Sequence, residues 1–404
     1  MAFLIGGANS AADTAYDVAN SCRFNDGDSA QLRKTPTGAG NLDKWTFSAW
    51  IKRGTLGITG KIFGCKTADP NSYTQVSFQS SDDITFVNYI GGSGAGQFTT
   101  NRVFRDTSAW YSIVVIFDSG NATAGDRMQL WVNGVRETSF SSQVNPDEDQ
   151  NGHVSSANEH LVGGNISGGS YLQFFDGYMS EVVFLDGVAA SPVDTLGEFD
   201  SDSPTIFKPK DPSGLTFGTN GFYLDFKASD NLGNDANGGT DLTEDNLAAA
   251  DQATDSPTNN FCTLNPLNAA TSGGFTYSEG NTKALSVGTW RGGSGTFGVS
   301  SGKWYFEVQG SGASTPSGVA TAGYIASGQA NQEHGYLGFA TVEKSYTYHL
   351  NGKLYTVNTD GSQANASYGN TYTTEIIGIA LNLDDNELKF YKSNTVQNSD
   401  TAIS

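Results

Sequence analysis

Three groups of residues have the types and spacings that could support chemistry. Glu198-Phe-Asp200-Ser-Asp202 sets carboxylates at alternate positions, and glycoside hydrolysis needs two carboxyl groups roughly 5–10 Å apart. The run passes straight into Ser203-Pro204, whose residue types punctuate loops, so it also reads as a solvated acidic turn. The second group is Asp235, Asn237, Asp241 and Glu244, hard oxygen ligands at the third, fifth, ninth and twelfth positions of an EF-hand-like spacing. Its first ligand position falls on Gly233, which carries no carboxylate. The group is a candidate for Ca²⁺ in a non-EF geometry, and a loop rich in Asx turns explains the same letters. The third comprises Tyr324, Tyr336, Tyr346 and Tyr348 with His349, accompanied by Tyr368 and Tyr372. Aromatic rings near strand ends could stack on sugar rings, and His349 could line a binding surface beside them. Half-buried sheet tyrosines with wet hydroxyls are the competing explanation.

Other chemistries lack their signatures. The four histidines, His153, His160, His334 and His349, form no His-Glu-x-x-His pair. No Gly-x-Ser-x-Gly elbow and no phosphate-binding Gly-x-x-x-x-Gly-Lys loop occurs among the 50 glycines. Nothing catalytic is visible, and the chain reads as non-enzymatic. A net charge of −20 over 404 residues, with no run of Lys or Arg, opposes binding to nucleic acid or anionic lipid. Ile113–Phe117, the longest apolar stretch, is strand-sized and far short of the roughly 18 residues of a membrane span. Met1-Ala-Phe-Leu-Ile-Gly6 has no basic region, so no secretory signal is expected. Cys22, Cys65 and Cys262 have no metal-ligand spacing and read as reduced thiols of a protein made in a cytoplasm.

The elements that must position these residues are strands. Charged residues make up only 16% of the chain while Gly, Ser, Thr and Asn abound, a mix suited to short strands and turns. Trp45-Thr-Phe-Ser-Ala-Trp-Ile51 alternates with period two, Trp110–Phe117 is a buried run, and Asn133-Gly134 between Met128–Val132 and Val135–Phe140 is a hairpin signal. Ile84–Ile90 precedes the glycine-rich loop Gly91–Gly96, and Phe174–Leu185 closes the series. Residues 228–260 are rich in turn formers and acids and read as a linker packed on a domain surface. Lys303–Val308, Tyr336–Ala340, Ser345–Leu350, Glu375–Leu383 and Glu387–Tyr391 form a second set of strands, with the loop Gly310–Gly318 between the first two. The expected fold is all-β: a short N-terminal arm (residues 1–21), an antiparallel sandwich (22–227), the acidic linker (228–260) and a second sandwich (261–404).

Arg23-Phe-Asn-Asp-Gly-Asp28, Trp45–Ile51, Trp110-Tyr-Ser-Ile-Val-Val115, Leu130-Trp-Val-Asn-Gly134 and Phe175-Asp-Gly-Tyr-Met-Ser-Glu181 resemble the phrases of concanavalin-like, laminin-G-like domains, in that family's order. Ser301-Gly-Lys-Trp-Tyr-Phe-Glu-Val308, Ile377-Gly-Ile-Ala-Leu-Asn-Leu-Asp384 and Leu388-Lys-Phe-Tyr-Lys392 resemble a SPRY domain, which normally continues with a further strand beyond this point. The phrases Asp211–Gly218, Phe222–Phe226 and Asp255-Ser-Pro-Thr-Asn-Asn260 are similar to those of virion proteins from tailed, often marine, bacteriophages.

The resemblance implies a virion protein made in a bacterial cytoplasm: a tail fibre or appendage binding a host glycan or surface protein. A capsid decoration or tail adaptor, contacting other virion proteins, is the alternative it leaves open. It also implies a homo-oligomer, a trimer if a fibre, with the N-terminal arm docked on the particle.

Overall fold

In a computed structural model, residues 16–167, 169–268, 275–286, 294–310, 317–320, 345–357 and 363–403 are described. The chain divides into a first unit, Gly6–Pro266 with Tyr277–Lys283, and a second containing Ala284–Ser404. Among the described residues, no helix is long and apolar enough to cross a membrane. None of the three cysteines forms a disulfide.

The first unit is built on two antiparallel sheets. One runs in the order Val135–Arg136, Met128–Val132, Trp110–Asp118, Lys44–Arg53, Gly177–Asp186, Ser21–Phe24 and Gln252–Ala253, with Phe222–Leu224 also pairing Gly177–Asp186. The other runs Phe140–Val144, Ser93–Val103, Asp83–Ile90, Tyr73–Phe78, Gly60–Lys66, Glu159–Val162, Gln31–Lys34 and Thr243–Asp245. Period-two alternation turns Trp45, Phe47, Ala49 and Ile51 into the space between the sheets, where they meet Phe63, Phe86 and Phe117. Phe47 stacks on Phe63 with centroids 4.4 Å apart, and Trp45 stacks on Phe117 at 5.7 Å.

The turns follow from their sequences. Asn133 and Gly134 both have positive φ, as a two-residue type I′ hairpin requires. After Val135–Arg136 the chain leaves this sheet, and Phe140–Val144 pairs with Ser93–Val103 in the other. The expected loop Gly91–Gly96 is shorter than its glycines suggest. Gly91 and Gly92 make the turn, again at positive φ, and the returning strand starts at Ser93.

Residues 228–260, expected as a linker, are instead woven into the first unit. Thr243–Asp245 extends one sheet beside Gln31–Lys34, Gln252–Ala253 extends the other beside Ser21–Phe24, and Leu232 and Leu242 enter the core. Two apolar anchors diluted among turn formers hide this role from composition. The described part of the N-terminal arm is held within the chain. Val18 exchanges backbone hydrogen bonds with the Ser256 and Thr258 hydroxyls, and the Tyr16 hydroxyl donates to Glu181 at 2.8 Å.

The second unit has one sheet of Lys303–Gln309, Ile376–Asn382, Glu387–Lys392 and Thr395–Val396. A second sheet contains Ser317–Ala320, Ser345–Tyr348, Lys353–Val357 and Gln363–Ser367. Tyr348, Ile377, Ile379, Leu388 and Phe390 form its core with Tyr368 and Tyr372. Ile403 pairs with Leu388 through two backbone hydrogen bonds of 2.9 Å. The expected strand Tyr336–Ala340 lies outside the described residues.

Candidate functional site

The two sheets of the first unit treat their outer faces differently. Lys44–Arg53 and Trp110–Asp118 are covered on both sides. Val114, Ile116, Val183 and Leu185 pack outward against Leu196, Phe217 and Tyr223, while Trp50, Trp110 and Tyr178 cluster with Phe207. The outer face of the other sheet is polar and only partly roofed.

Strand register organises that face into cross-strand rows. One row reads Glu159, Lys66, Tyr73, Tyr89 and Gly94. Tyr73 and Tyr89 are directly paired neighbours, their rings 5.2 Å apart and within 5° of parallel, and both are half-buried. The next outward row is Leu161, Gly64, Gln75, Val87, Gln97 and Val144. A third is Lys61, Ser77, Thr85, Thr99 and Ser142, with the Thr85 and Thr99 hydroxyls 3.1 Å apart. The inward residues between these rows, Val76, Phe78, Ile84, Phe86 and Phe98, belong to the core. Alternation thus supplies a dry side that fixes the strands and a wet side with amides, hydroxyls and two stacked rings.

Local contacts hold the ring pair in place. Asn71 accepts the Gly92 N–H through its backbone carbonyl, and the Ser72 hydroxyl accepts the Gly91 N–H at 3.0 Å, tying the tight turn to the start of the Tyr73 strand. His153 Nε2 stands 3.0 Å from the Tyr89 carbonyl, and burial holds its imidazole below the usual histidine range. The hairpin Asn165–Ser167 and Ser170–Leu172 roofs the opposite end of the face. Asn165 accepts from the Gln75 amide and donates to Gln173 Oε1 at 3.1 Å. A Cβ on Gly64 would lie 3.1 Å from the Gln75 Cγ and 2.8 Å from the Thr74 carbonyl oxygen, so glycine lets Gln75 cross to the hairpin. Lys61, whose backbone N–H donates to the Gln173 carbonyl just past the hairpin, is 8% exposed, and its ammonium contacts the Ser77 hydroxyl at 3.5 Å. Burial pushes that ammonium down to about 8.

Neutral planar amides, hydroxyls and a half-buried aromatic pair are the groups that hydrogen-bond sugar hydroxyls and cover sugar C–H faces. The arrangement offers binding chemistry. Among the described residues, no group of three or more His, Cys, Asp or Glu is placed to hold a metal ion.

The residues singled out from sequence are placed elsewhere. Asp235 is buried, accepting the backbone N–H groups of Tyr223 and Asn237, with Lys34 3.6 Å from its second oxygen. Asp241 accepts from the Asp235 N–H and the Asn231 amide, Glu244 from the Leu232 N–H, and Asn237 is exposed. Asp235 closes an Asx turn onto Asn237, while Asp241 and Glu244 tie back to the N–H groups of Asp235 and Leu232 earlier in the loop. Asp200 accepts the N–H groups of Asp202 and Ser203 and pairs with Lys208 at 3.1 Å, while Glu198 pairs with Lys210 at 3.6 Å.

In the second unit, Tyr348 does not line a surface. Its ring is fully buried among Tyr368, Tyr372 and Phe390, and its hydroxyl donates to the Asn370 carbonyl. An alternation that looked like an exposed tyrosine stripe puts this ring on the core side. Tyr368 and Tyr372 are core residues as well, and Tyr346 is partly buried against the same cluster. His349 is half-buried beside the Tyr355 ring, with Nδ1 accepting the Asn351 N–H. Tyr324 and Tyr336 lie outside the described residues.

Sequence reasoning passed over Tyr73. Its strand, Tyr-Thr-Gln-Val-Ser-Phe78, alternates with period two, but only Val76 and Phe78 are strongly apolar on its inner side, so the signal is weak. Asp255–Asn260, at the end of the expected linker, is a clamp. Asp255 accepts from Lys52 at 2.7 Å and from the Trp110 indole at 2.9 Å, and Asn260 accepts from Lys52 at 2.8 Å.

Comparisons with known proteins agree with this architecture. Residues 25–191 match the Concanavalin A-like lectin/glucanases superfamily as a laminin G-type module, and residues 303–402 match the SPRY domain. No curated protein matches the chain. Among solved structures, a Bacteroides ovatus protein named for an inferred role in carbohydrate binding is similar at 15% identity and TM-score 0.41. That match covers 57% of this chain and 59% of the Bacteroides protein. The heptameric SAP-like pentraxin of Limulus polyphemus is similar at 17% identity and TM-score 0.33, over 44% of this chain and 81% of the pentraxin. Mouse laminin alpha1 domains LG4-5 are similar at 10% identity and TM-score 0.35, over 98% of this chain and 80% of theirs.

Proposed function

For a chain that joins a concanavalin/laminin-G-like jelly roll to a SPRY domain, we propose a non-catalytic glycan-binding role centred on the open sheet face of the first unit. The observation that carries this reading is the Tyr73–Tyr89 pair, two parallel rings on a polar sheet face whose next outward rows carry Gln97 and then Thr85 and Thr99. A sugar ring laid on the pair exchanges water for aromatic contact, while the neighbouring amides and hydroxyls replace its lost hydrogen bonds.

The wider role is host attachment by a tail fibre or appendage of a tailed bacteriophage, assembled with other virion proteins as a homo-oligomer. Its support is the resemblance of the joining phrases together with the tandem of two modules. The test at the molecular level is a glycan array probed with the full chain and with Tyr73→Ala. Binding that falls at least tenfold in the variant supports the reading; no glycan bound by the wild type overturns it. At the particle level, purified chain should compete with phage adsorption to host cells, and absence of competition removes the attachment role.

A further inference from the structure

Lys61 lacks what a buried cation ordinarily has. Among the described residues no carboxylate lies within ion-pair distance of its ammonium, whereas every other lysine or arginine as deeply buried on this unit has one. Lys52, at 1% exposure, has Asp255, and Arg53, at 2%, has Asp82. Glu159–Val162, paired with the lysine's own strand, carries Glu159 opposite Lys66, where it accepts from Arg33 and Tyr171, and His160, which bonds Ser155 and Asn158. Tyr73–Phe78 and the described residues of the roofing hairpin carry no Asp, Glu, Lys or Arg. Asp176, in the segment that follows the hairpin, is turned towards Thr55, whose N–H it accepts at 2.7 Å. On the lysine's own strand the other charged group is Lys66, and Asp83 lies on the strand beyond Tyr73–Phe78.

The backbone places this amine deliberately. A bulge between Lys61 and Phe63 inserts one extra residue, so Ile62 and Phe63 both enter the core and Lys61 is aimed at the outer face. There it ends the hydroxyl row Ser77, Thr85, Thr99, Ser142, which leads to the open side. Ser77 Oγ accepts from Gln79 Nε2 at 2.7 Å. Lys61 shares this neutral acceptor with Gln79 and reaches it only at 3.5 Å. An ammonium held this way is short of a counter-charge, and burial pushes it down to about 8 accordingly.

We infer that Lys61 receives the carboxylate of an acidic sugar, giving the open face a preference for acidic over neutral oligosaccharides. This inference rests on the glycan-binding reading above. Tyr73 and Ser77 are four residues apart on one strand, about 13 Å at 3.3 Å per residue. A ligand reaching both the ring pair and the lysine is thus an oligosaccharide. The strongly acidic chain disfavours densely charged polyanions, so a sparsely charged glycan with one carboxylate at this position fits best.

The experiment uses the full chain on a panel of immobilised neutral, uronate-bearing and sialate-bearing oligosaccharides. Calorimetry then follows with the best acidic binder and its carboxyl-methyl ester, which differ only in the charge. The expected result is at least tenfold tighter binding of the acid, with Lys61→Met bringing acid and ester to parity. Met keeps the stem volume and removes the charge, so the variant retains the fold. Equal affinity for acid and ester in the wild type, or a preference for acid that survives Lys61→Met, overturns the inference and leaves the glycan-binding reading standing. Wild-type protein that binds no member of the panel overturns both.

Discussion

Lys52 and Lys61 stand on the outer faces of the two sheets of the first unit, exposed by only 1% and 8%. Around Lys52 the chain has built a complete shell, with Asp255, Asn260 and the Phe261 carbonyl all within 2.8 Å of the ammonium. Around Lys61 there is one hydroxyl at 3.5 Å. The first face is closed by Leu196, Phe207, Phe217 and the clamp Asp255–Asn260, whose polar groups bond Lys52 and Trp110. The second leaves a half-buried ring pair and the hydroxyls of Thr85, Thr99 and Ser142 within reach of solvent. Where a face is covered, buried charge is paired because an unpaired ion costs several kcal/mol. Where it is left open and a buried charge is left unpaired, its partner is looked for outside the chain.

The largest effect that would break this contrast lies on the covered side. Asp255→Ala leaves Lys52 without its counter-ion and the Trp110 indole without its acceptor, and should cost about 3–5 kcal/mol. Urea denaturation of the full chain measures it. A loss under about 1 kcal/mol would mean the clamp is incidental and the two faces are alike. Pairing Asp255→Leu with Lys52→Met should recover the ion-pair share of the loss only, since the Trp110 indole, Asn260 and the Phe261 carbonyl stay without their partners.

Between the sheets, His160 predicts acid sensitivity. Its Nε2 accepts the Ser155 N–H at 2.8 Å, so Nδ1 carries the proton given to the Asn158 carbonyl. Burial pushes the imidazole down from 6.5 to about 4. The unfolded chain therefore binds more protons between those values. Stability is complete above 6.5 and falls as pH drops towards 4, by up to about 3 kcal/mol. Glu181, pushed up from 4.5 to about 7 by burial, works in the opposite direction, gaining stability as pH falls from 7 towards 4.5. Comparing wild type with His160→Gln isolates the histidine: the variant should have the flatter acid limb. Equal slopes would mean His160 is charged in the folded state.

On the open side, Lys61→Met should stabilise the protein by about 1–3 kcal/mol at pH 7, because it removes an uncompensated buried charge. The sign of the pH dependence follows. Folded Lys61 titrates near 8 and unfolded lysine near 10.5, so the folded state binds fewer protons between them and wild-type stability rises with pH across that window. The variant should lose this rise. Thermal melts at pH 7 and 10 of both proteins give the measurement, and a destabilised Lys61→Met would place Lys61 with Lys52 as a structural residue.

Much of the contrast was legible in the sequence on its dry side and little on its wet side. Trp45–Ile51 and Trp110–Phe117 announce themselves because apolar side chains repeat with a clear period, and Asn133-Gly134 because few residue pairs adopt that turn. Tyr73–Phe78 is a strand whose outward residues are aromatic or polar and whose strongly apolar inward residues are few, so hydrophobic periodicity barely registers it. Tyr348 shows the converse. A tyrosine stripe has the same letters whether its rings face solvent or core, and only the register of Ser345–Tyr348 against Lys353–Val357 decides. Asp235 and Asp241 have the spacing of ligands and are used by backbone N–H groups, a distinction set by loop conformation. The clamp at Asp255 joins residues 203 positions apart, which no local pattern encodes.

The smallest expected change in stability belongs to the ring pair itself, and it separates a binding platform from a core. Cross-strand aromatic pairs contribute about 0.2–1 kcal/mol, and Tyr73 and Tyr89 each keep one side towards solvent. Tyr73→Ala combined with Tyr89→Ala should therefore cost about 1 kcal/mol or less while lowering glycan affinity at least tenfold. Tyr73→Phe with Tyr89→Phe keeps both ring planes and removes only the hydroxyls, so it should retain most of the affinity if stacking carries recognition. A loss of stability above about 2 kcal/mol in the alanine pair would instead assign the rings to packing. The open face would then be a second structural face, built like the one around Lys52 but wetter.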